Sequence, residues 1–491
     1  MQAPREPKKL YSTNTGLLPS LGLFTTIMMV VGGVIGSGIF RKPGVMAAQI
    51  GSPELLLGVW ALAGVITLFG ALTNAEIAGM IPETGGQYVY FDRMYGPFTA
   101  FLYGWAVFAV IQTGSIAAVA YVFAEYANQY FAHVPELSGT VAAWSVHVPG
   151  IGDVAPLKDL GTKGLAAALI ILLTAVNYLG VRFGGLVQNI FTIAKVTAMF
   201  LLMLGAFLLP TGGSTANLSA SSAVIHPHGL ALFAAIAAAL QGAFWAYDGW
   251  NKLTYIAGEV KEPQRNVPRG LIIGMLIVTA IYLLMNLAYS YVLPVDEMAK
   301  SKLVAADVAE KCFAGGGRWI AVAVMISTFG TTNAIILASA RVYFSMARRN
   351  VFPRFIGNAH PQFHTPAASL VVQGIWSVLL LFSGTFDTLT DTLIFVSWVF
   401  YAMGAFGVFV LRRKEPDATR PYKVPGYPIV PWVFILFATV YLVFTVYNDV
   451  GVYQAAVAAG KPGMINSAFG TVLVLIGTPI YFFYRRRKPG A

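Results

Sequence analysis

Charge is scarce in this chain: of 491 residues only 11% are Asp, Glu, Lys or Arg, whereas 57% are hydrophobic and the mean hydropathy is +0.68. An ordinary soluble domain carries roughly 25% charged residues, so a water-soluble globule is excluded. Long polar stretches are missing too. The longest, about 132–161, has no strong apolar period and is too short for a further soluble domain of typical size. Cysteine occurs once, at Cys312, which rules out an intramolecular disulfide and a cysteine-based metal cluster. The six histidines (His133, His147, His226, His228, His360, His364) fall in loops or at the ends of apolar runs. An enzyme working inside a membrane needs paired acids, a nucleophile with its base, or metal ligands at depth, and none of these is apparent. No catalytic residue, metal or cofactor is expected.

What remains is apolar length. Runs of about 20 residues, each enough to cross a ~30 Å hydrocarbon core, recur from end to end. They predict an all-α integral membrane protein with twelve spans at 21–46, 54–80, 98–131, 163–181, 187–209, 229–256, 269–293, 318–347, 366–384, 389–411, 428–447 and 465–484. An even count puts both termini on one side. Loops on that side, with the termini, hold 21 Lys and Arg, and the opposite loops hold nine, among them Arg41, Lys42, Lys158 and Lys163. The positive-inside rule then makes both termini cytoplasmic, in the cell membrane. The net charge of +11 follows this loop pattern, including Arg412–Lys414 and Arg485–Lys488, so it orients the chain in the bilayer and does not indicate a nucleic-acid partner. Residues 1–20 are polar, contain Arg5, Lys8 and Lys9, and show no cleavable signal; the first span serves as the targeting signal. The expected organisation is a cytoplasmic segment 1–20, a core of helices 1–10 over 21–411, helices 11–12 over 428–484, and a basic cytoplasmic tail 485–491.

Two spans are poor continuous helices. Gly32-Gly33-Val34-Ile35-Gly36-Ser37-Gly38 puts four glycines in seven residues, each costing about 1 kcal/mol of helix stability relative to alanine. The sixth span holds Ala246-Tyr247-Asp248-Gly249-Trp250-Asn251, with a carboxylate and a glycine at similar depth. Glycine-rich packing between helices also explains such a pattern in one span, but paired interrupted helices point to a transporter site between inverted repeats. A broken helix exposes amides where its second half begins and carbonyls where its first half ends. The amides of Ser37, Gly38 and Ile39 are suited to a carboxylate, and the carbonyls near Val34, Ile35, Phe244 and Trp245 to an ammonium. Together they match the head group of an α-amino acid. Glycine at 36 and 38 lets a substrate approach the backbone closely. A channel, by contrast, needs charged rings or a carbonyl filter along a pore.

Three stretches then become familiar: Gly33-Val-Ile-Gly-Ser-Gly-Ile-Phe40; Ala75-Glu76-Ile77 with Ile81-Pro82-Glu83-Thr84-Gly85-Gly86-Gln87-Tyr88; and Trp245–Asn251 with Glu259, Pro263, Arg265, Asn266 and Pro268. In this order they resemble the amino acid–polyamine–organocation superfamily, and within it most the L-amino acid transporter family, from about residue 20 to 450. The resemblance implies a five-plus-five inverted repeat with helices 1 and 6 broken, two extra helices, and alternating access. It implies a substrate site lined by Ile35, Gly36, Ser37 and Gly38 and by Trp245, Ala246 and Asp248, with Asn251 beside them and Trp245 covering bound substrate on its outer side. Lys195, about a third of the way into span 5, costs roughly 3 kcal/mol at that depth unless partnered. Snorkelling to the cytoplasm is one answer. The resemblance gives another: its ammonium stands where sodium bridges helices 1, 5 and 8, with Ser327 as the matching partner on span 8.

Asp248 either pairs with cationic side chains of substrates or caps the second half-helix through the Trp250 or Asn251 amides. Gln112 faces the cavity or a neighbouring helix, and Glu76 and Glu125 lie near span ends, within reach of headgroup solvation. Lys252 departs from the family's uncharged residue; it points away from the site, or else it argues against cationic substrates. Animal members join a single-span glycoprotein through a cysteine after span 3, and 132–161 has none, so no disulfide-linked subunit is expected. The resulting expectation is a stand-alone, sodium-independent carrier of L-amino acids, an exchanger of neutral and, through Asp248, cationic ones. The alternatives are a proton-coupled amino acid carrier or a polyamine carrier.

Overall fold

The computed structural model describes residues 21–486 apart from 84, 150, 180–183, 210–212, 364 and 462, and omits the side chains of 184–189, 259 and 485–486. The segment 1–20, the end of the basic tail and His364 thus lie outside the described residues. The rest is a multi-pass helical membrane protein. Its long helices are α1 Leu23–Val34, α2 Gly38–Ile50, α3 Pro53–Met80, α4 Gln87–Tyr95, α5 Pro97–Ala132, α6 Leu160–Tyr178, α7 Gly184–Leu208, α8 Leu230–Tyr247, α9 Pro263–Val292, α10 Gly316–Arg348, α11 Ala367–Ser383, α12 Phe386–Lys414, α13 Ile429–Ala458 and α14 Asn466–Tyr484. Among the described residues, ten helices are long and apolar enough to cross a bilayer unaided, counting α8 with the turns that run on to Gly258; α1 and α2, bent by 40° at their junction, together make an eleventh. α11 is apolar but shorter, at 17 residues. Each expected span overlaps one of these helices or the α1/α2 pair, although the helices that meet the length and hydropathy of a crossing number ten or eleven among the described residues, not twelve.

Local signals explain the boundaries. Ser52 Oγ accepts from Leu55 N (3.2 Å) ahead of Pro53, which together start α3. Thr385 likewise starts α12 through Thr388 N. Away from water, hydroxyls turn back on their own helices: Thr67, Thr73, Thr328, Thr332 and Ser339 each donate to the carbonyl four residues earlier. α13 runs to Ala458, well past the expected end at 447, because the Asp449 carboxylate is satisfied by Ser467 N at 2.7 Å. Besides one at its end, Asn128–Ala132, α5 holds a π-helical turn at Val107–Ile111 that the sequence did not announce. Its displaced carbonyls are taken up by other helices, Val107 O by the Tyr343 hydroxyl (3.2 Å) and Ala109 O by Trp376 Nε1 (2.9 Å).

The architecture is not purely α. Val146–Val148 and Gly152–Val154 form an antiparallel hairpin within the 132–161 stretch, with Val146 opposite Val154. Asp153 N donates to Gly463 O and Ile465 N to Ile151 O, both at 2.7 Å, so this loop and the one before α14 meet, as loops on one side must.

The acids at span ends are satisfied by arginines, not by headgroup solvation. Glu76, 1% exposed, accepts from Arg412 Nε (2.9 Å) and Nη2 (2.7 Å) and from Val424 N (2.8 Å). A carboxylate held this way is firmly tied to α12, since losing one partner of a buried ion pair costs about 3–5 kcal/mol. Glu83, in the loop before α4, has its carboxyl pushed up by burial, opposed by Arg93 and Arg349.

Candidate functional site

The two breaks meet at the centre of the bundle. α1 ends at Val34, Ile35 turns to an extended conformation (φ −68°, ψ 94°), and α2 restarts at Gly38. α8 ends at Tyr247, Asp248 is extended (φ −66°, ψ 156°), Gly249 takes φ +99°, and a 3₁₀ stretch follows over Trp250–Glu259. That positive φ is the conformation glycine adopts without strain. Asp248 N turns to Trp245 O (3.2 Å), an i−3 bond that leaves the Phe244 carbonyl without its i+4 donor. On the other break Phe40 N and Arg41 N both bond Ser37 O, so the amides of Gly38 and Ile39 open the helix with no carbonyl inside it to accept them. Ser37 Oγ and Trp245 Nε1 are buried without a hydrogen-bond partner among the described residues.

Packing assigns the glycines differently from the sequence. A Cβ on Gly38 would stand 2.5 Å from Ala246 Cα and 2.6 Å from Ala246 Cβ, so Gly38 is where the two breaks touch. A Cβ on Gly36 would meet nothing closer than 3.8 Å. Close approach at 38 is thus to the other broken helix. Tyr282 of α9 joins both breaks, its hydroxyl within 3.2 Å of Val34 O and 2.9 Å of Ala246 O. Two carbonyls expected to serve an ammonium are already engaged: Val34 O by Tyr282, and Ile35 O by Lys195.

Lys195, on α7 and 4% exposed, does not snorkel. Its Nζ donates to Gly32 O (2.9 Å), Ile35 O (2.6 Å) and Thr331 Oγ1 (3.3 Å), tying α7 to the α1 break and to α10. The α10 hydroxyl it reaches is that of Thr331, one helical turn beyond Ser327, whose own Oγ is buried without a partner among the described residues. The contact falls on the expected helix but on Thr331 in place of Ser327, because spacing along α10 does not reveal which turn faces Lys195.

Asp248 does not cap the second half-helix; its carboxylate turns to another helix instead. Its Oδ1 accepts from the Tyr401 hydroxyl of α12 at 2.7 Å, beside a small cavity lined by Thr67, Phe244, Trp398 and Phe434, and it makes no capping bond to the 3₁₀ stretch. Asn251 Nδ2 donates to Gln87 Oε1 of α4 at 3.1 Å, which makes it a latch between helices. The Tyr255 hydroxyl lies 2.8 Å from that of Tyr103, with Gln112 and Asn251 beside it. Tyr282, Thr331 and Tyr401 had no sequence signal, since a lone tyrosine or threonine in an apolar span is usually packing; Gln87 lay in a motif stretch but was given no role.

Above Trp245, toward the 132–161 loop, lies a charged lid. Trp245 packs edge-on against Phe386 with centroids 6.0 Å apart, and Arg41 and Lys42 stand over the other ring at 5.5 and 5.0 Å. Arg41 Nε is 3.0 Å from Glu125 Oε2, and Lys42 Nζ is 2.7 Å from Asp387 Oδ1 and 3.6 Å from Asp391 Oδ1. Arg41 and Lys42, counted with the loop charges although the expected first span reaches 46, are part of α2, and Lys42 is 2% exposed. A polar cavity of about 510 Å³ opens beyond them, lined by Tyr121, Glu125, Lys158 and Lys302 among others.

Comparison with known proteins gives this geometry a context. Residues 21–476 match the model of the amino acid permease family. The chain is 30% identical over 483 residues to the serine/threonine exchanger SteT of Bacillus subtilis, covering 98% of this chain and 100% of that protein. It is 33% identical over 422 residues to the human b(0,+)-type amino acid transporter 1, covering 86% of this chain and 80% of the relative. With the human large neutral amino acids transporter small subunit 2 it shares 32% identity over 476 residues, 96% and 82% of the two chains. All three are membrane transporters, not enzymes.

Proposed function

Because the chain belongs to the amino acid permease family, we propose that it moves L-amino acids across the cell membrane by alternating access, as a sodium-independent exchanger of neutral amino acids. The observation that carries this reading is the α1 break. It offers to a carboxylate the amides of Gly38 and Ile39, which have no backbone acceptor among the described residues, with the Ser37 hydroxyl, likewise without a partner there, beside them. The freed Phe244 carbonyl of the α8 break faces the ammonium. Trp245, with its own unpaired N–H and the Phe386 lid above it, closes the site toward the 132–161 loop.

Sodium independence rests on Lys195. An ammonium bonded to Gly32 O, Ile35 O and Thr331 Oγ1 occupies the position of a coupling cation between three helices, so no external ion is needed there. In this reading helices over 21–411 form two inverted five-helix repeats, α13 and α14 are additions, and both termini are cytoplasmic. The protein works without a disulfide-linked subunit: its lone cysteine, Cys312, is buried, and the 132–161 loop offers none. The relatives named as an exchanger and as amino acid transporters support the reading.

The head-group assignment is tested by competition in proteoliposomes. L-amino acids should compete with a labelled neutral amino acid, whereas their amides, their decarboxylated amines and polyamines should not. Robust transport of decarboxylated amines would overturn the carboxylate cradle and favour a polyamine carrier.

A further inference from the structure

Lys252 is a cation that the mechanism above does not use. It lies on the 3₁₀ stretch after the second break, and a methyl group added to Gly249 would stand 2.6 Å from Gly33 O and 3.2 Å from Lys252 Nζ. Its ammonium is therefore at the contact between the two breaks, not turned toward lipid. Around it, Gly32, Val34, Ile35, Ser37, Trp250, Asn251 and Leu253 are buried, yet Lys252 and Gly33 are both partly exposed. Both keep partial exposure, so protein does not fully seal the ammonium at this contact.

The charges about this ammonium are Asp248, which attracts it, and Lys195, which repels it. Neither neutralises it by direct contact. Lys252 forms no hydrogen bond or ion pair with the described residues, Asp248 is bonded to Tyr401, and Lys195 is bonded to two carbonyls and Thr331. Two lysines and one carboxylate leave the site with a positive balance in a region of low dielectric, where an unpaired cation is costly and attracts an anion. A zwitterionic head group does not change that balance. A lysine or arginine side chain brings a third cation, while an aspartate or glutamate side chain supplies the missing anion.

Resting on the amino acid carrier reading, we propose that Lys252 sets the charge selectivity of the site, excluding cationic amino acids and binding acidic ones through their side-chain carboxylate. Lys252 then acts directly on the substrate, as a specificity-determining residue. It also withdraws the expectation that Asp248 admits cationic substrates, since the nearest mobile cation is already part of the chain.

The test is the ratio of inhibition constants for arginine and glutamate against uptake of a labelled neutral amino acid, measured in wild type, Lys252→Arg and Lys252→Gln. Wild type should prefer glutamate by about tenfold or more, Lys252→Arg should keep that preference, and Lys252→Gln should lose it. The ratio within each variant is independent of how much active protein is reconstituted. Should Lys252→Gln fail to fold, wild type alone decides, because arginine competing as well as glutamate overturns the proposal. An unchanged ratio in an active Lys252→Gln overturns it equally. If neutral amino acids compete while this ratio fails, only the role of Lys252 falls; if no amino acid of any charge competes, the carrier reading falls and takes this inference with it.

Discussion

Lys195→Ala is expected to lower amino acid exchange by about a hundredfold while leaving the protein extractable and monodisperse. The substitution strips donors from two buried carbonyls, Gly32 O and Ile35 O, and from Thr331. An unsatisfied buried polar group costs about 1–3 kcal/mol, and about 2.7 kcal/mol corresponds to a hundredfold in a rate or equilibrium. The loss falls on the junction of α1, α7 and α10, which has to hold its geometry at each end of the transport cycle. Lys195→Met, which keeps the apolar stem but not the charge, should fail equally, because the ammonium is what ties the helices. The same role requires that wild-type transport be unchanged when sodium is replaced by choline. Initial rates in proteoliposomes check both, and a wild-type rate that depends on a sodium gradient contradicts the assignment.

Gly38→Leu should abolish transport and also lower thermal stability, whereas Gly36→Ala should leave stability nearly intact. The distinction follows from what each new atom meets. At Gly38 even a Cβ stands 2.5 Å from backbone of the other broken helix, which has no side chain to swing aside; at Gly36 the nearest atom is 3.8 Å away. Overpacking by a single methylene costs about 1–3 kcal/mol, and a leucine at the touching point of two half-helices costs more. Thermal unfolding of the detergent-purified variants, followed by tryptophan fluorescence, separates the two positions. A Gly38→Leu protein as stable as wild type but inactive would return Gly38 to the role first read from sequence, that of admitting the substrate to the backbone.

Hydrophobic length made the helical spans legible, and the same physics exposed the breaks: glycine and aspartate at mid-depth leave helix ends that must find partners. Lys195 was conspicuous for the energetic cost of its depth. What stayed hidden was which residue answers it. Ser327 and Thr331 lie on one face of α10, a single turn apart, and only the packing of α7 decides between them. Arg41 and Lys42 read as loop charges, because their partners Glu125 and Asp387 lie 84 and 345 residues away and each pair forms only in the folded bundle. Tyr282 and Tyr401 carried no signal at all, since a hydroxyl on an apolar span discloses neither its direction nor its acceptor. The π-helical turn of α5 was equally silent, because the carbonyls it displaces are satisfied by Tyr343 and Trp376 on distant helices.

In the proposed function the paired breaks carry one amino acid in exchange for another without an ion gradient, and counterflow tests this most directly. Proteoliposomes holding the purified protein are loaded with unlabelled neutral amino acid and diluted into a trace of labelled amino acid, in identical sodium-free buffer at one pH on both sides. Exchange should give transient accumulation of label in loaded vesicles and none in empty ones. Accumulation only when a pH or sodium gradient is imposed, whatever the vesicles contain, would contradict it.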